Sequence, residues 1–121
     1  MRRGLVVDDS RIVRKIACHL LKEFDISAEE AEDGESGLTS CRTSMPDLLL
    51  LDGDAPGLNS VEFVRTLRRE SGGQKPRVLY CVTEIDVFHI SQVLHAGANH
   101  YLLKPFGRTA LRGRLVDLGL A

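Results

Sequence analysis

The sequence predicts an α/β protein built on a doubly wound parallel sheet of five strands, with helices on both faces. Short apolar runs alternate with segments of helical hydrophobic spacing. The run LLLL at residues 48–51 lacks the alternating polar positions of a strand with one face in water. Turn signals, including Asp33-Gly34 and Gly72-Gly73, fall between the segments. Alternation of this kind is typical of strand–helix–strand units, whose strands run parallel.

The first half of the chain contains two predicted strands and two predicted helices. Residues 4–8 (GLVVD) have the length and β-branching of a buried strand. Apolar side chains then recur at helical spacing over residues 13–24. Residues 26–31 form a more polar strand, which indicates a position at the edge of the sheet. A helix over residues 35–42 follows the Asp33-Gly34 turn.

The second half continues the alternation. Strands are predicted at residues 47–52 and 77–82, and a helix between them carries Val61, Val64 and Leu67 on one face. Next come a helix that contains Val87, Ile90 and Leu94 and ends at Gly97, and a short strand over residues 101–103. The last helix contains Leu111, Leu115 and Leu118, and Gly113 lowers its helical propensity. Five strands alternating with five helices favour the flavodoxin-like strand order 2-1-3-4-5.

Composition and charge are those of an ordinary soluble globular protein. The 121 residues suit one domain, residues 1–121, with 43% hydrophobic and 27% charged residues. A formal net charge of −1 favours neither nucleic acid nor an anionic membrane as a partner. The apolar run after the basic start is three residues long, too short for a signal peptide or a membrane span. We therefore expect a cytoplasmic protein in which Cys18, Cys41 and Cys81 are reduced.

Polar residues stand where the predicted strands end. Asp8 and Asp9 close the first strand, and Asp52 closes the third. Thr83 closes the fourth strand and Lys104 the fifth. In an open α/β sheet these ends share one edge, and ligands bind there in the crevice where the strand order reverses. With the order 2-1-3-4-5, the Asp8–Asp9 pair faces Asp52 across that crevice.

This set of side chains predicts a phosphoryl-transfer site. Three neighbouring carboxylates cannot all ionise without a counter-charge, and oxygen ligands suit a hard divalent ion, Mg²⁺ above all. Lys104 adds a second positive group, and Thr83 adds a neutral hydroxyl donor. A metal, a lysine and a hydroxyl around the Asp52 carboxylate are the groups that bind a phosphoryl group in transfer.

Simpler interpretations exist for each residue taken alone. Asp9-Ser10 suits the start of the first helix, Lys104-Pro105 suits a plain turn, and Asn59-Ser60 suits the start of the third helix. The histidines lack metal-ligand spacing, which favours surface or partly buried positions for all four: His19, His89, His95 and His100.

Four segments, LVVDDS, LLLLD, VLYCVT and YLLKPF, together resemble the receiver domain of bacterial two-component response regulators. The resemblance extends from Leu5 to the last helix, with every landmark in order. It implies that Asp52 accepts a phosphoryl group from a histidine kinase or a histidine phosphotransfer protein. Asp9 and Asp52 would hold Mg²⁺ directly, Asp8 would hold it through water, and the backbone carbonyl of Asp54 would be a further ligand.

The resemblance also implies how the site would signal. Lys104 and Thr83 would contact the phosphoryl oxygens, Tyr101 matches the family's aromatic switch position, and the Lys104-Pro105 bond would be cis. The output partner would bind the face of the fourth helix, fifth strand and fifth helix, which includes His95, His100 and Arg108.

The chain ends after the fifth predicted helix, so it resembles a stand-alone receiver of the CheY type, as in chemotaxis, without a DNA-binding domain. We expect a phosphoacceptor that catalyses only its own Mg²⁺-dependent phosphorylation and dephosphorylation. We also expect a monomer, with a phosphorylation-linked dimer as the alternative.

Several positions depart from the family's usual pattern. Ala55 replaces a common methionine, and Asn59-Ser60 replaces an acidic residue and glycine. Asp54 adds a carboxylate two residues after the acceptor, and Glu84 follows Thr83 where a small residue is usual. We expect Asp54 and Glu84 to add negative charge at the mouth of the crevice. The apolar Ile85 offers no group to position an attacking water, so a long-lived phosphoryl group is expected.

Two other functions fit parts of the sequence. The Asp-x-Asp at Asp52 and Asp54 also resembles haloacid-dehalogenase-type phosphatases, in which these residues would be nucleophile and general acid. Motif order argues against this family, because its Asp-x-Asp opens the domain and its acidic pair follows the lysine. The third hypothesis is a receiver variant that binds a cyclic dinucleotide. Three arginines would bind the anion: Arg108, Arg112 and Arg114.

Overall fold

A computed structural model of the chain describes residues 1–55 and 57–121. The strands are β1 (Arg2–Val7), β2 (Ile26–Ala31), β3 (Leu48–Asp52), β4 (Arg77–Val82) and β5 (His100–Leu103). The helices are α1 (Arg11–Lys22), α2 (Gly34–Thr43), α3 (Ser60–Arg69), α4 (Val87–Ala96) and α5 (Arg108–Asp117). Strands and helices alternate, and the strands form one parallel sheet in the order β2-β1-β3-β4-β5. The predicted fold class and strand order are therefore confirmed.

The leucine strand β3 is the centre of the sheet and supplies both faces of the core. Leu49 and Leu51 belong to the cluster beneath α2, α3 and α4. Leu48 and Leu50 belong to the cluster beneath α1 and α5. Successive side chains of a strand point to opposite faces, so an unbroken apolar run is what a strand covered on both sides requires. By contrast, β2 lies at the edge, and its middle residues are exposed or partly exposed, as its polarity predicts.

The strands predicted at residues 26–31 and 77–82 have the predicted ends, whereas the strand predicted at 4–8 spans Arg2–Val7. Other ends differ by one to three residues, because periodicity marks the buried face and side-chain caps fix where a helix begins. The helix predicted over residues 13–24 begins at Arg11, after its cap Ser10, and ends at Lys22. In the last helix, the apolar repeat extends to Leu118, which is the C-cap residue. The start predicted from Asn59-Ser60 is confirmed, since the Asn59 side chain caps α3.

The expected surface or partly buried positions are confirmed for the histidines: His19, His89, His95 and His100. Within the described residues, no helix is both long enough and apolar enough to cross a membrane.

The start of β3 is joined to β1 by an Asp47 carboxylate. Asp47 Oδ2 accepts a 2.8 Å hydrogen bond from the Arg3 backbone N–H, and Lys75 Nζ lies 3.3 Å from Oδ1. The hydrogen bond from Arg3 and the nearby Lys75 hold the pKa of Asp47 below its ordinary value. The ionised form is therefore the one that stabilises the fold.

We expect Asp47→Ala to lower the free energy of unfolding by roughly 1–2 kcal/mol at pH 7, because an N–H loses its charged acceptor. Since the folded pKa is lowered, this stabilisation is complete above the ordinary value of 3.8 and is lost as the pH falls through the folded pKa. Urea unfolding of both proteins between pH 7 and pH 2.5 measures the difference. A gap that stays constant down to the lowest pH would contradict the assignment.

Candidate functional site

The polar residues predicted to meet at the sheet edge do meet there. Asp52 is the last residue of β3, and Asp8, Thr83 and Lys104 directly follow β1, β4 and β5. Each of Asp8, Asp9 and Asp52 offers a carboxylate oxygen, and these oxygens lie within 4.8 Å of one another. The strand register brings them together, because Leu51 pairs with both Val7 and Tyr80.

Lys104 is the cation at the centre of this cluster. Its Nζ donates a 2.6 Å hydrogen bond to Asp52 Oδ1. The same Nζ lies 3.3 Å from Asp54 Oδ2 and 3.5 Å from Asp8 Oδ2. Asp8 and Asp52 are 4% and 2% exposed, so water does little to screen their charges. A buried carboxylate at a strand end thus has the cationic partner that its burial requires.

The electrostatics follow from burial and from these contacts. Burial alone would lower the pKa of Lys104, but its hydrogen bond to Asp52 and the charges of Asp52 and Asp8 raise it above its ordinary value. Burial raises the pKa of Asp8, against the opposing effect of a hydrogen bond from the Ser10 N–H. Lys104 is therefore charged at neutral pH, and one ammonium faces more than one carboxylate.

The donor set fits a magnesium ion. The cluster presents carboxylate oxygens of Asp8, Asp9 and Asp52, and hard divalent cations prefer oxygen ligands. Asp9 is exposed, whereas the other two carboxylates are buried, so an ion held here would have water on one side. A divalent cation would also balance negative charge that Lys104 alone leaves uncompensated.

Two residues that position the cluster were not anticipated from the sequence. Arg14 donates a 2.7 Å hydrogen bond from Nη1 to the Asp8 carbonyl while its Nε pairs with Glu30 Oε1 at 3.0 Å. Gly53 crosses the face of Tyr80, where an added Cβ would lie 2.6 Å from the ring. Glycine after Asp52 therefore lets the chain turn closely over β4. No sequence motif identifies Arg14. The glycine between Asp52 and Asp54, by contrast, is a signal that the backbone passes close to a neighbouring group.

Asp54 is exposed, and both its backbone and its carboxylate contact other residues of the site. Its backbone N–H donates to Asp52 Oδ1 at 2.8 Å. Its Oδ2 accepts a 3.0 Å hydrogen bond from the Thr83 backbone N–H and lies beside Lys104. The side chain is 39% exposed, so it is near the surface but directed inward. The carboxylate adds negative charge, as expected, and also joins the ends of β3, β4 and β5.

Glu84 and Ile85 directly follow Thr83 in the chain, and both are exposed. Tyr101 is half-buried against the core on the α4 side of the sheet. Its carbonyl accepts a 2.6 Å hydrogen bond from Arg114 Nε, and the Arg114 guanidinium lies 5.0 Å from its ring centroid. The Lys104-Pro105 peptide bond is cis, as the resemblance implies.

The arginines of α5 have different surroundings. Arg108 lies 3.7 Å from Glu23 and stacks on Phe24, next to α1, whereas Arg114 is held by Tyr101 of β5. Arg112 is exposed. These contacts direct two of the three guanidinium groups to separate partners, so they do not favour a shared anion site.

Comparison with known proteins gives the class of protein. The family model described as "Response regulator receiver domain" matches residues 5–116. The chain belongs to this family. It is a CheY-like receiver domain of two-component signalling, and this membership favours the receiver over the phosphatase alternative.

Individual relatives agree with the family assignment. The chain is 32% identical over 114 residues to the phosphate regulon transcriptional regulatory protein PhoB of Escherichia coli (strain K12), over 94% of this chain and 50% of that protein. It thus spans about half the length of the curated relatives that it matches. Its structure resembles the chemotaxis response regulator CheY4 of Vibrio cholerae, with 28% identity, 98% of each chain covered and a TM-score of 0.89. A receiver domain from Bermanella marisrubri is 31% identical, with 97% of each chain covered and a TM-score of 0.85.

Removing Lys104 should expose the repulsion that it balances. We expect Lys104→Met to lower the free energy of unfolding by about 3 kcal/mol at pH 7 without Mg²⁺, because buried carboxylates lose their cation. Burial raises the pKa of Asp8, and a carboxylate whose pKa is raised by folding destabilises the fold most when it is ionised, so the deficit should shrink as the pH falls and Asp8 protonates. Denaturant unfolding at pH 7 and pH 4.5 measures this.

Magnesium provides the control for this prediction. An ion that binds only the folded protein restores stability by mass action, so millimolar Mg²⁺ should narrow the gap between Lys104→Met and wild type. Equal stability of the two proteins at pH 7 without Mg²⁺ would contradict the central role of Lys104.

Proposed function

We propose that Asp52 accepts a phosphoryl group, which switches a protein-binding face of the receiver. The observation that carries the proposal is the Asp52 carboxylate itself. It is 2% exposed and lies 2.6 Å from a charged lysine, within reach of two further carboxylates that suit Mg²⁺. Burial, a counter-charge and neighbouring oxygen ligands are the features that a phosphoryl acceptor needs.

The transfer is an exchange of one phosphorus bond for another. An oxygen of the Asp52 carboxylate attacks the phosphorus of a phosphohistidine, and the O–P bond forms as the N–P bond to the imidazole breaks. The histidine leaves as neutral imidazole after it takes up a proton. Lys104 then interacts with oxygens of the transferring phosphoryl group, and the Thr83 hydroxyl donates a hydrogen bond to another oxygen of the same group. Attack of water on phosphorus later releases inorganic phosphate and restores the carboxylate.

Asp8, Asp9 and Asp52, with the backbone carbonyl of Asp54, would hold Mg²⁺. When bound, the ion supplies positive charge that stabilises the negative oxygens of the transferring group. Arg14 supports this ligand set through the carbonyl of Asp8, and the turn at Gly53 fixes the backbone that leads to Asp54.

The phosphodonor that we propose is a histidine kinase or a histidine phosphotransfer protein, with acetyl phosphate as a small substitute. Residues 1–121 would form one domain that acts in the cytoplasm as a phosphoacceptor, without turnover of other substrates. The family assignment supports such a kinase partner. A chemotaxis pathway is suggested by the similar CheY4 of Vibrio cholerae, which is described as a chemotaxis response regulator.

The proposed output runs from Thr83 to Tyr101. Phosphorylation would draw Thr83 toward the new oxygens, and Tyr101 would turn into the space left behind. Tyr101 is half-buried and held by Arg114 of α5, so its rotation would alter the face formed by α4, β5 and α5. The change is a shift between two packings of one fold.

The acceptor is tested by labelling. With Mg²⁺ and acetyl phosphate, or with a kinase, the protein should gain one acid-stable, hydroxylamine-labile phosphate on Asp52. Asp52→Asn should abolish the label, because an amide is a far weaker nucleophile. Asp25→Asn, a matched change in the turn between α1 and β2, should label like wild type. Intact-mass spectrometry measures the label, and full labelling of Asp52→Asn would refute the assignment.

The switch is tested by amide NMR spectra recorded with and without phosphorylation. We expect shifts at Thr83, at Tyr101 and across residues 94–111, because the packing of β5 against α4 and α5 changes. Amides in the middle of α2 serve as the internal control and should move little. Unchanged spectra over residues 94–111 in a fully labelled sample would rule the switch out.

A further inference from the structure

A single carboxylate oxygen, Asp54 Oδ2, bridges the ends of two neighbouring strands. It accepts a 3.0 Å hydrogen bond from the backbone N–H of Thr83, directly after β4. It also lies 3.3 Å from Nζ of Lys104, directly after β5. The contact with Thr83 is to the main chain, so it constrains the path of the loop that follows β4.

The two donors on this oxygen are suited to a phosphoryl oxygen. One is the largely buried ammonium of Lys104 and the other is a backbone N–H, and both groups commonly bind phosphate oxygens. Lys104 Nζ also donates a 2.6 Å hydrogen bond to Asp52 Oδ1. The Asp52 carboxylate and Asp54 Oδ2 therefore contact the same ammonium group and lie next to each other. A phosphoryl group on Asp52 would extend into the space next to Lys104 and Thr83.

We propose that the Asp54 carboxylate is an internal surrogate for the phosphoryl group, and that phosphorylation of Asp52 displaces it from Lys104 and the Thr83 N–H. The inference rests on Asp52 being the acceptor. In the unphosphorylated protein, Asp54 holds the loop after β4 in place. In the phosphorylated protein, a phosphoryl oxygen takes over both donors and the Asp54 side chain turns out to solvent, which its 39% exposure allows.

This role differs from a general charge effect, and Glu84 provides the comparison. Glu84 is an exposed carboxylate beside Thr83 in sequence, so its effect on an anionic donor acts through water and is screened by salt. Asp54 is also exposed, but it acts through direct contacts at 3.0 Å and 3.3 Å, and Lys104 is only 12% exposed, so salt screens these contacts less than it screens Glu84. Removing either carboxylate should therefore speed the labelling of Asp52, but the two gains should depend differently on salt.

The kinetic test compares four proteins: wild type, Asp54→Asn, Asp54→Ala and Glu84→Gln. Each is labelled with acetyl phosphate and Mg²⁺ at low salt and at 0.5 M KCl. Asp54→Ala should label about tenfold faster than wild type at both salt concentrations, a change of about 1.4 kcal/mol in the barrier. Asp54→Asn should fall between them, because its amide oxygen still accepts from the Thr83 N–H. The gain of Glu84→Gln should disappear at high salt.

A second measurement needs neither Mg²⁺ nor phosphorylation. Hydrogen exchange of the Thr83 amide in the metal-free protein should be at least several-fold faster in Asp54→Ala than in wild type, because the N–H loses its acceptor. It should be unchanged in Glu84→Gln. This readout reports the resting contact itself.

The outcomes separate this inference from the proposed function. If Asp52 is labelled in every variant but Asp54→Ala labels at the wild-type rate, the surrogate role is wrong. A gain for Asp54→Ala that vanishes at high salt would also overturn it, in favour of a general charge effect. An unchanged Thr83 exchange rate in Asp54→Ala would overturn the proposed resting contact. If Asp52 is labelled in none of the four proteins, the phosphoacceptor assignment fails, and the surrogate role fails with it.

Discussion

The 2.6 Å contact between Lys104 and Asp52 is the interaction on which the site depends. Both side chains are largely removed from water, so each requires the other's charge. The pairing is unequal, because Asp8 and Asp54 share the same ammonium and Asp9 lies in the same cluster. The site therefore carries negative charge beyond what one lysine balances, and this excess is what a divalent cation can neutralise.

The parallel sheet brings these charges together because the carboxyl ends of its strands lie at one edge. The carboxylates, Thr83 and Lys104 stand at the end of a strand or within two residues after it, so the strand order decides which of them are neighbours. β3 lies in the middle of the sheet between β1 and β4, which places Asp52 between the Asp8–Asp9 pair and Thr83. The four leucines of β3 are buried between helices on both faces, and this packing fixes the position of Asp52 at the end of the strand.

Two contacts connect the site to surfaces of the molecule. Asp54 joins the loop after β3 to the main chain of Thr83, and Arg114 joins α5 to the carbonyl of Tyr101. The first contact lies within the crevice, and the second lies on the face made by α4, β5 and α5. Thr83 directly follows β4, and Tyr101 belongs to β5. The two residues are therefore close, because β4 pairs with β5. A change at Asp52 would have a short path of backbone and side-chain contacts to that face.

The amino-acid sequence predicts the fold class, the strand order and the polar residues that lie at one edge of the sheet: Asp8, Asp9, Asp52, Thr83 and Lys104. It could do so because strand periodicity and strand ends are local properties, and a parallel sheet gathers strand ends at one edge. Tertiary structure alone decided that Arg14 holds the Asp8 carbonyl, that Gly53 passes over Tyr80, and that Asp54 turns inward to Thr83. These contacts join residues from different elements and depend on the direction of each side chain. Hydrophobic spacing carries no information about that direction, because it reports only which face of an element is buried.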